Sequence, residues 1–225
     1  MTGIIVSYDG TPNDDDALAL GSLLARGGAK LALAYVRHSH EYDARREELA
    51  QHDAERRLTQ GVASLGDQAI PRHVVVSAST GEGLARLAQQ ENAAVIVFGS
   101  DYRTPPGHVE PGTSAQRLLD GGPVAVAVAP AGLRTDGQTP IESVAVGGEP
   151  EDHAAEETAR ALAAALGAEL VSAGTSHVGL VVVGSQASAP PGRVALAGPS
   201  RRLLQAARSP VLIVPRGSPV KLGGD

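Results

Sequence analysis

The chain has 225 residues, no cysteine and a formal net charge of −6. The absence of cysteine excludes disulfides, thiol catalysis and zinc–thiolate sites. The negative balance leaves no electrostatic footprint for nucleic acid, and no apolar run approaches the roughly 20 residues of a membrane span.

Hydrophobic residues make up 42%, yet there is one Phe, no Trp and only four Tyr. An interior of Ala, Val and Leu suits small-residue helices packed closely on Val-rich strands, an α/β arrangement. The length admits one domain or two at roughly 100–200 residues each. Met1-Thr2-Gly3 leads straight into a strand with no basic leader or cleavage site, so a cytoplasmic location is expected. The pairs Arg45-Arg46, Arg56-Arg57 and Arg201-Arg202 read as solvated helix faces.

In chain order, residues 3–7 read as a buried strand and Thr11-Pro12 opens a helix. Thr11 serves as N-cap, Pro12 as first helical residue, and Asp14 and Asp15 sit at the positive end of the dipole. That helix stops at Gly27-Gly28. Residues 31–36 form a second strand, 41–65 a charged amphipathic helix and 73–77 a third strand. Ser79 and Glu82 make a capping box for the next helix. A strand over 95–98, a short helix over 114–119 and a strand over 124–128 follow. Strands alternating with helices in this way give a doubly wound parallel unit.

Residues 131–139 read as a polar linker, after which the pattern restarts. Strands are expected at 143–146, 169–173, 180–183 and 211–214, with an Ala-rich helix before Gly167, a helix over 200–207, and a polar tail at 217–225. Against the first half, the long charged helix, the third strand and the helix after it are missing. Parallel neighbours normally need a crossover of about a dozen residues or more, and only 174–179 separates two of these strands. Either 169–173 is not in a parallel position or the connection is stretched.

An internal repeat underlies this division. Val97-Phe98-Gly99-Ser100, Pro105-Pro106-Gly107 and Gly112-Thr113-Ser114 recur as Val182-Val183-Gly184-Ser185, Pro190-Pro191-Gly192 and Gly198-Pro199-Ser200. In a doubly wound sheet, ligands sit at the carboxyl ends of the strands where strand order reverses. Asp9 and Gly99 follow the two strands expected to flank that point. An Asp there accepts hydrogen bonds from sugar hydroxyls, and Gly99 lets backbone approach a ligand. Gly112-Thr113-Ser114 sets N–H groups and hydroxyls at a helix start, which favours phosphate. Each element has a plainer reading too: Asp9-Gly10 as a turn, Gly99 as a strand end, Gly112 as the residue before an N-cap. No P-loop lysine motif and no G-x-G-x-x-G after the first strand occurs.

The residues Val6-Ser7-Tyr8-Asp9-Gly10-Thr11-Pro12, Val97-Phe98-Gly99-Ser100, Gly112-Thr113 and Pro123-Val124 resemble those of the universal stress protein family. Val146 to Glu151, Val183-Gly184-Ser185 and Pro210 to Pro215 extend the resemblance over nearly the full length as a tandem form. It implies two Rossmann-like domains of the adenine nucleotide alpha hydrolase-like type: 1–130, then after the linker 131–139 a truncated, degenerate copy over 140–216, then the tail 217–225. It also implies pairing through the last strands, a pseudo-dimer within one chain that would cover two apolar edges, with a homodimer left open.

The family's ATP motif is G-x2-G-x9-G-[ST]. Gly99, Gly112 and Thr113 keep its spacing, while Tyr102 replaces the second glycine. By resemblance, Asp9 would hold ribose or adenine, the Val36 backbone would meet adenine, and Thr113 and Ser114 would hold phosphate. Arg103 is added as a cation within reach of the terminal phosphates, its plainer reading being a solvated loop charge. The candidate nucleotide-binding residues are thus Ser7, Tyr8, Asp9, Val36, Phe98, Gly99, Tyr102, Arg103, Gly112, Thr113 and Ser114. The expected ligand is ATP or a related adenine nucleotide, with or without Mg²⁺, acting as a stress signal rather than a catalytic substrate.

The alternative is a nucleotide-free scaffold or interaction module whose pocket Tyr102 closes. A more distant one is an adenylating enzyme of the same architecture, which lacks its Ser-Gly-Gly-type loop here. In the second half Gly147 stands in place of Asp, Ala187 in place of the second glycine, and Pro199 lacks both hydroxyl and N–H, so nucleotide binding there is not expected. His38 and His40 lie two apart without a third ligand and read as loop residues. Asp101 and Glu110 could approach a phosphate-bound Mg²⁺ or simply be surface carboxylates. No residue shows a hydrolase context, and no catalytic residue or resident metal is expected.

Overall fold

A computed structural model describes residues 3–39, 43–136, 139–148, 153–172 and 178–223. The first half runs β1 (Gly3–Ser7), α1 (Pro12–Ala25), β2 (Lys30–Arg37), α2 (Ala44–Leu65), β3 (Arg72–Val76), α3 (Thr80–Gln90), β4 (Ala93–Gly99), α4 (Thr113–Leu119) and β5 (Ala125–Ala129). The second runs β6 (Ser143–Gly147), α5 (Ala154–Leu166), β7 (Glu169–Val171), β8 (Leu180–Val183), α6 (Gly198–Ala206) and β9 (Val211–Ile213). The expected start of the long helix at Glu41 lies outside the described residues, as does His40.

Helix ends follow their local chemistry. Asp14 reaches back from the first turn of α1 to accept the Thr11 N–H at 3.2 Å. The Asp43 side chain accepts from the Arg45 and Arg46 N–H groups at the start of α2, and Ser79 accepts from Glu82 N–H at the start of α3. Helices α2 and α5 both stop on left-handed glycines, Gly66 (φ 73) and Gly167 (φ 67).

Among the described residues, nine strands form one sheet in the order β3-β2-β1-β4-β5-β9-β8-β6-β7. Every pairing is parallel except β5 with β9, where Val126, Ala127 and Val128 face Ile213, Leu212 and Val211. The last strands of the two halves therefore pair, as expected. The order β2-β1-β4-β5 recurs as β7-β6-β8-β9, and β3 has no counterpart among the described residues. Helices α1, α2 and α5 cover one face and α3, α4 and α6 the other; each face holds one apolar core that runs across the β5–β9 junction.

The short connection before β8 resolves through the sheet order. Strand β7 is parallel to β6 and is three residues long, and β8 lies on the other side of β6. The chain must therefore span two strand spacings and one short strand, about 14 Å. Residues 172–179 extend to about 26 Å at most, so no helix is required. Gly179 packs against the start of β6, where a Cβ would stand 2.9 Å from the Ser143 carbonyl oxygen.

Two segments differ from expectation. The linker contains a 3₁₀ turn, Leu133–Asp136, and it is fastened to α1 by Asp16. That fully buried carboxylate accepts from Gly132 N at 2.8 Å, Arg134 N at 2.9 Å and Arg134 Nη1 at 3.0 Å. The polar tail is not peripheral either: Val220 and Leu222 are buried in the α1/α5 core, and Val220 N donates to Thr158 Oγ1 at 2.8 Å.

Candidate functional site

Strand order reverses between β1 and β4, which are direct neighbours, so Asp9 and Gly99 lie at the carboxyl ends of the two strands beside the switch point. Beyond that shared location, the candidate residues separate by what their side chains do. Tyr8 and Phe98 are each only 6% exposed and belong to the cores on opposite faces of the sheet. Their backbone alone can face the crevice, and the Tyr8 N–H is already bonded to the Ala34 carbonyl at 2.9 Å. Burial, with Asp15 and Asp14 nearby, pushes the Tyr8 phenol up to about 12. Ser7 pairs with Ala34 in the ladder. The Val36 side chain packs toward α3, close enough that a Cβ on Gly83 would stand 3.2 Å from it.

Asp9 is exposed at the mouth of the crevice, and its loop is tied on several sides. Its Oδ1 accepts the Thr11 N–H at 3.1 Å. Its own N–H donates to Asp14 Oδ2 at 2.7 Å. Its carbonyl accepts from Arg57 Nη1 at 2.6 Å. Burial, then the hydrogen bond and charge of Asp9, push the Asp14 carboxyl up to about 8, against the opposing pull of the two backbone N–H groups.

Gly99 has a structural cause. A Cβ there would lie 1.9 Å from the Asn13 carbonyl oxygen, so its glycine is required by the close approach of α1. Asn13 Nδ2 also donates to the Ser100 carbonyl at 2.7 Å. Gly112 is different. Its φ of −69° and ψ of 172° suit any residue, and a Cβ would meet only Asp101 Oδ2, at 4.0 Å. Nothing among the described residues requires glycine at this position. Helix α4 starts here without a side-chain cap, and the Thr113 and Ser114 hydroxyls have no hydrogen-bond partner among the described residues.

Tyr102 is 72% exposed, with the Arg103 guanidinium 4.9 Å from its ring centroid. The ring stands out in solvent instead of filling the crevice, which removes the geometric basis for a pocket closed by Tyr102.

The repeated Gly-Ser and Pro-Pro-Gly signals turn out to be loop fastenings shared by both halves. Ser100 Oγ donates to the Ala129 carbonyl and accepts from Glu110 N; Ser185 Oγ donates to the Val214 carbonyl and accepts from Ala195 N, at identical separations of 29 and 10 residues. Gly107 (φ 75) and Gly192 (φ 73) each donate to the loop after the last strand, at Ala131 O and Arg216 O. At the next helix start the halves part. Ala197, in nearly the same conformation as Gly112 (φ −69°, ψ 163°), opens α6, and Pro199 takes the first turn. A Cβ on Gly147 would run into Val181 and Leu203.

Arg57 and Asp14 were not legible as site residues: Arg57 read as part of a solvated pair, and it lies 48 positions from Asp9. His38 Nδ1 lies 3.0 Å from the Ser77 carbonyl, and among the described residues no cluster of three or more His, Asp or Glu is placed to hold a metal. No helix of the described residues is long and apolar enough to cross a membrane. A cavity of about 490 Å³ lies elsewhere, where Leu23, Pro106, Ala131, Ile141, Gly179 and Pro210 meet, and touches none of Asp9, Val36, Gly99 or Gly112.

Residues 1–130 match the model of the universal stress protein family. No curated protein matches the chain. Among solved structures, a universal stress protein from Archaeoglobus fulgidus DSM 4304 aligns at 14% identity over 96% of this chain and 98% of its own, with a TM-score of 0.56. A putative universal stress protein from Pseudomonas aeruginosa UCBPP-PA14 aligns at 14% identity over 95% and 93%, with a TM-score of 0.61. A functionally unknown protein from Pseudomonas aeruginosa PAO1 aligns at 14% identity over 95% and 92%, with a TM-score of 0.62. At these identities the likeness is one of fold.

Proposed function

The chain belongs to the universal stress protein family, and from that premise we propose that its first half binds ATP or a related adenine nucleotide in the crevice between β1 and β4. The observation that carries this reading is Gly112. Neither its backbone angles nor any neighbour among the described residues calls for glycine, whereas a ligand that comes against the backbone does. With it go an uncapped helix start, two hydroxyls without a partner among the described residues and, at the carboxyl end of β1, the exposed carboxylate of Asp9. These supply phosphate donors at one end and a hydroxyl acceptor at the other.

Asp101 Oδ2 stands near Gly112, so a nucleotide carrying Mg²⁺ suits the loop better than a bare polyphosphate. In this reading binding acts as a signal rather than as the first step of a reaction. The second half, with Ala197 and Pro199 at the corresponding helix start, serves as a structural partner. The tandem division near residues 131–139 belongs to the same reading.

The test is thermal shift and calorimetric titration with ATP, ADP and AMP, with and without Mg²⁺, after checking the purified protein's absorbance for bound nucleotide. At about 100-fold excess over the dissociation constant, linkage gives roughly 2.7 kcal/mol of stabilisation. Gly112→Val is expected to abolish the shift while leaving the unliganded melting temperature nearly unchanged. No shift at millimolar ATP in the wild type rules the reading out.

A further inference from the structure

Arg57 lies on α2, far in sequence from every other candidate residue, yet it covers the loop that carries Asp9. Three independent features bring it there. Helix α2 seats unusually close to the end of β1 because position 61 is glycine: a Cβ there would stand 2.8 Å from Tyr8 Cε1 and 2.9 Å from Leu33 Cδ2. One turn earlier on the same face, the Arg57 side chain passes over Gly10 (φ +86), whose hypothetical Cβ would touch Arg57 Cγ at 3.5 Å. The guanidinium then divides its donors, Nη1 to the Asp9 carbonyl at 2.6 Å and Nε to Asp53 Oδ2 at 2.8 Å. Arg57, first, and Arg56 hold the Asp53 carboxyl below the usual range, so this anchor stays ionised.

The Asp9 peptide is therefore gripped from both directions. Arg57 takes its carbonyl, and Asp14 takes its N–H at 2.7 Å. Oδ1 accepts the Thr11 N–H, and the carboxylate also shares a hydrogen bond with the Asp14 carboxyl, so the Asp9 side chain is held in one place at the end of β1. A planar guanidinium is suited to this because one rigid fork serves two acceptors at once. Among the described residues the second half has no counterpart of α2 between β7 and β8.

We propose that Arg57 is a positioning residue of the nucleotide site, holding the Asp9 carboxylate in register for a ribose hydroxyl. The proposal rests on the reading that this crevice binds a ribonucleotide. Arg57 does not touch the ligand; it acts through Asp9, so its removal should cost hydroxyl recognition and not phosphate recognition.

The test measures dissociation constants of the full chain for ATP and for 2′,3′-dideoxy-ATP. Wild type is expected to prefer ATP. Arg57→Met should weaken ATP binding about tenfold, the size of one well-placed hydrogen bond, and bring the two ligands level, with dideoxy-ATP affinity and unliganded melting temperature little changed. Arg57→Lys should restore part of the preference, and Asp53→Asn, which leaves the cation but frees it, should lose part. A preference that survives intact in both Arg57→Met and Asp53→Asn overturns the positioning role. A fall of both ligands in parallel shows a general structural effect and also overturns it. Absence of ATP binding in the wild type instead overturns the nucleotide reading on which the proposal stands.

Discussion

Asp14 sits in the first turn of α1 with its Oδ2 between two N–H donors and beside the Asp9 carboxylate. Partial burial and that neighbour make its charged form costly, and its carboxyl is pushed up to about 8. The sign follows from proton binding. From about 4, the ordinary Asp value, up to about 8, the folded chain holds a proton that the unfolded chain has lost, so stability falls as pH rises through this window and levels off above it. Tyr8, raised to about 12, stays a neutral phenol throughout and adds no slope. Asp14→Asn keeps an oxygen acceptor for both N–H groups without the charge. The difference in melting temperature, variant minus wild type, is expected to grow steadily from about pH 5 to about pH 8. Parallel curves in a buffer series would show that Asp14 titrates like a surface carboxylate.

At the level of elements, the recurring Gly-Ser and Pro-Pro-Gly signals fix how each half closes. Ser100 and Ser185 are buried, and each hydroxyl bridges the carbonyl at the end of a last strand to an N–H of the preceding loop. Replacing either by Ala leaves a buried carbonyl and N–H without partners, at a cost of about 1–3 kcal/mol. Because the two bridges are equivalent, Ser100→Ala and Ser185→Ala should lower the urea midpoint by similar amounts; a neutral Ser185→Ala would mean that its loop is held by other contacts. The repeat itself was legible in the sequence because it is local and keeps its spacing, and so were the strands, whose Val-rich runs leave little choice. The meaning of each repeated residue was not. Gly99 and Gly112 carry the same two readings in the sequence, a motif glycine or a plain element end, yet Gly99 serves the packing of Asn13 and Gly112 is the one left open. That difference depends on which helix passes nearby, and no window of sequence around either glycine contains it. Arg57 and Asp16 escaped for the same reason: their partners lie 48 and about 118 positions away, and a charged residue on a helix looks alike whether water or a distant loop receives it.

Across the whole molecule, the two halves are joined by more than the β5–β9 ladder. The segment through Val220 and Leu222 carries Pro, Gly and Lys, a composition that reads as a tail, yet it lies between α1 of the first half and α5 of the second. Positions 27 and 165 show how close the two helices come, since a Cβ on Gly27 would be 3.3 Å from both the Ala165 and the Leu222 Cβ. Gly28 (φ +93) and Gly223 (φ +107) meet at similarly short range, which only residues without side chains allow. Removing a Leu side chain from such a seam typically costs about 2–5 kcal/mol, and here the loss falls on both halves at once. The chain offers its own probe of this: its Tyr residues, 8, 35, 42 and 102, all lie in the first half, so tyrosine fluorescence reports that half while far-UV circular dichroism reports the whole. Leu222→Ala is expected to move both urea transitions to lower denaturant together and keep them coincident, as one cooperative unit requires. A dichroism transition that shifts or splits while the tyrosine transition stays in place would show instead that the first half folds alone and that the shared core adds nothing to its stability.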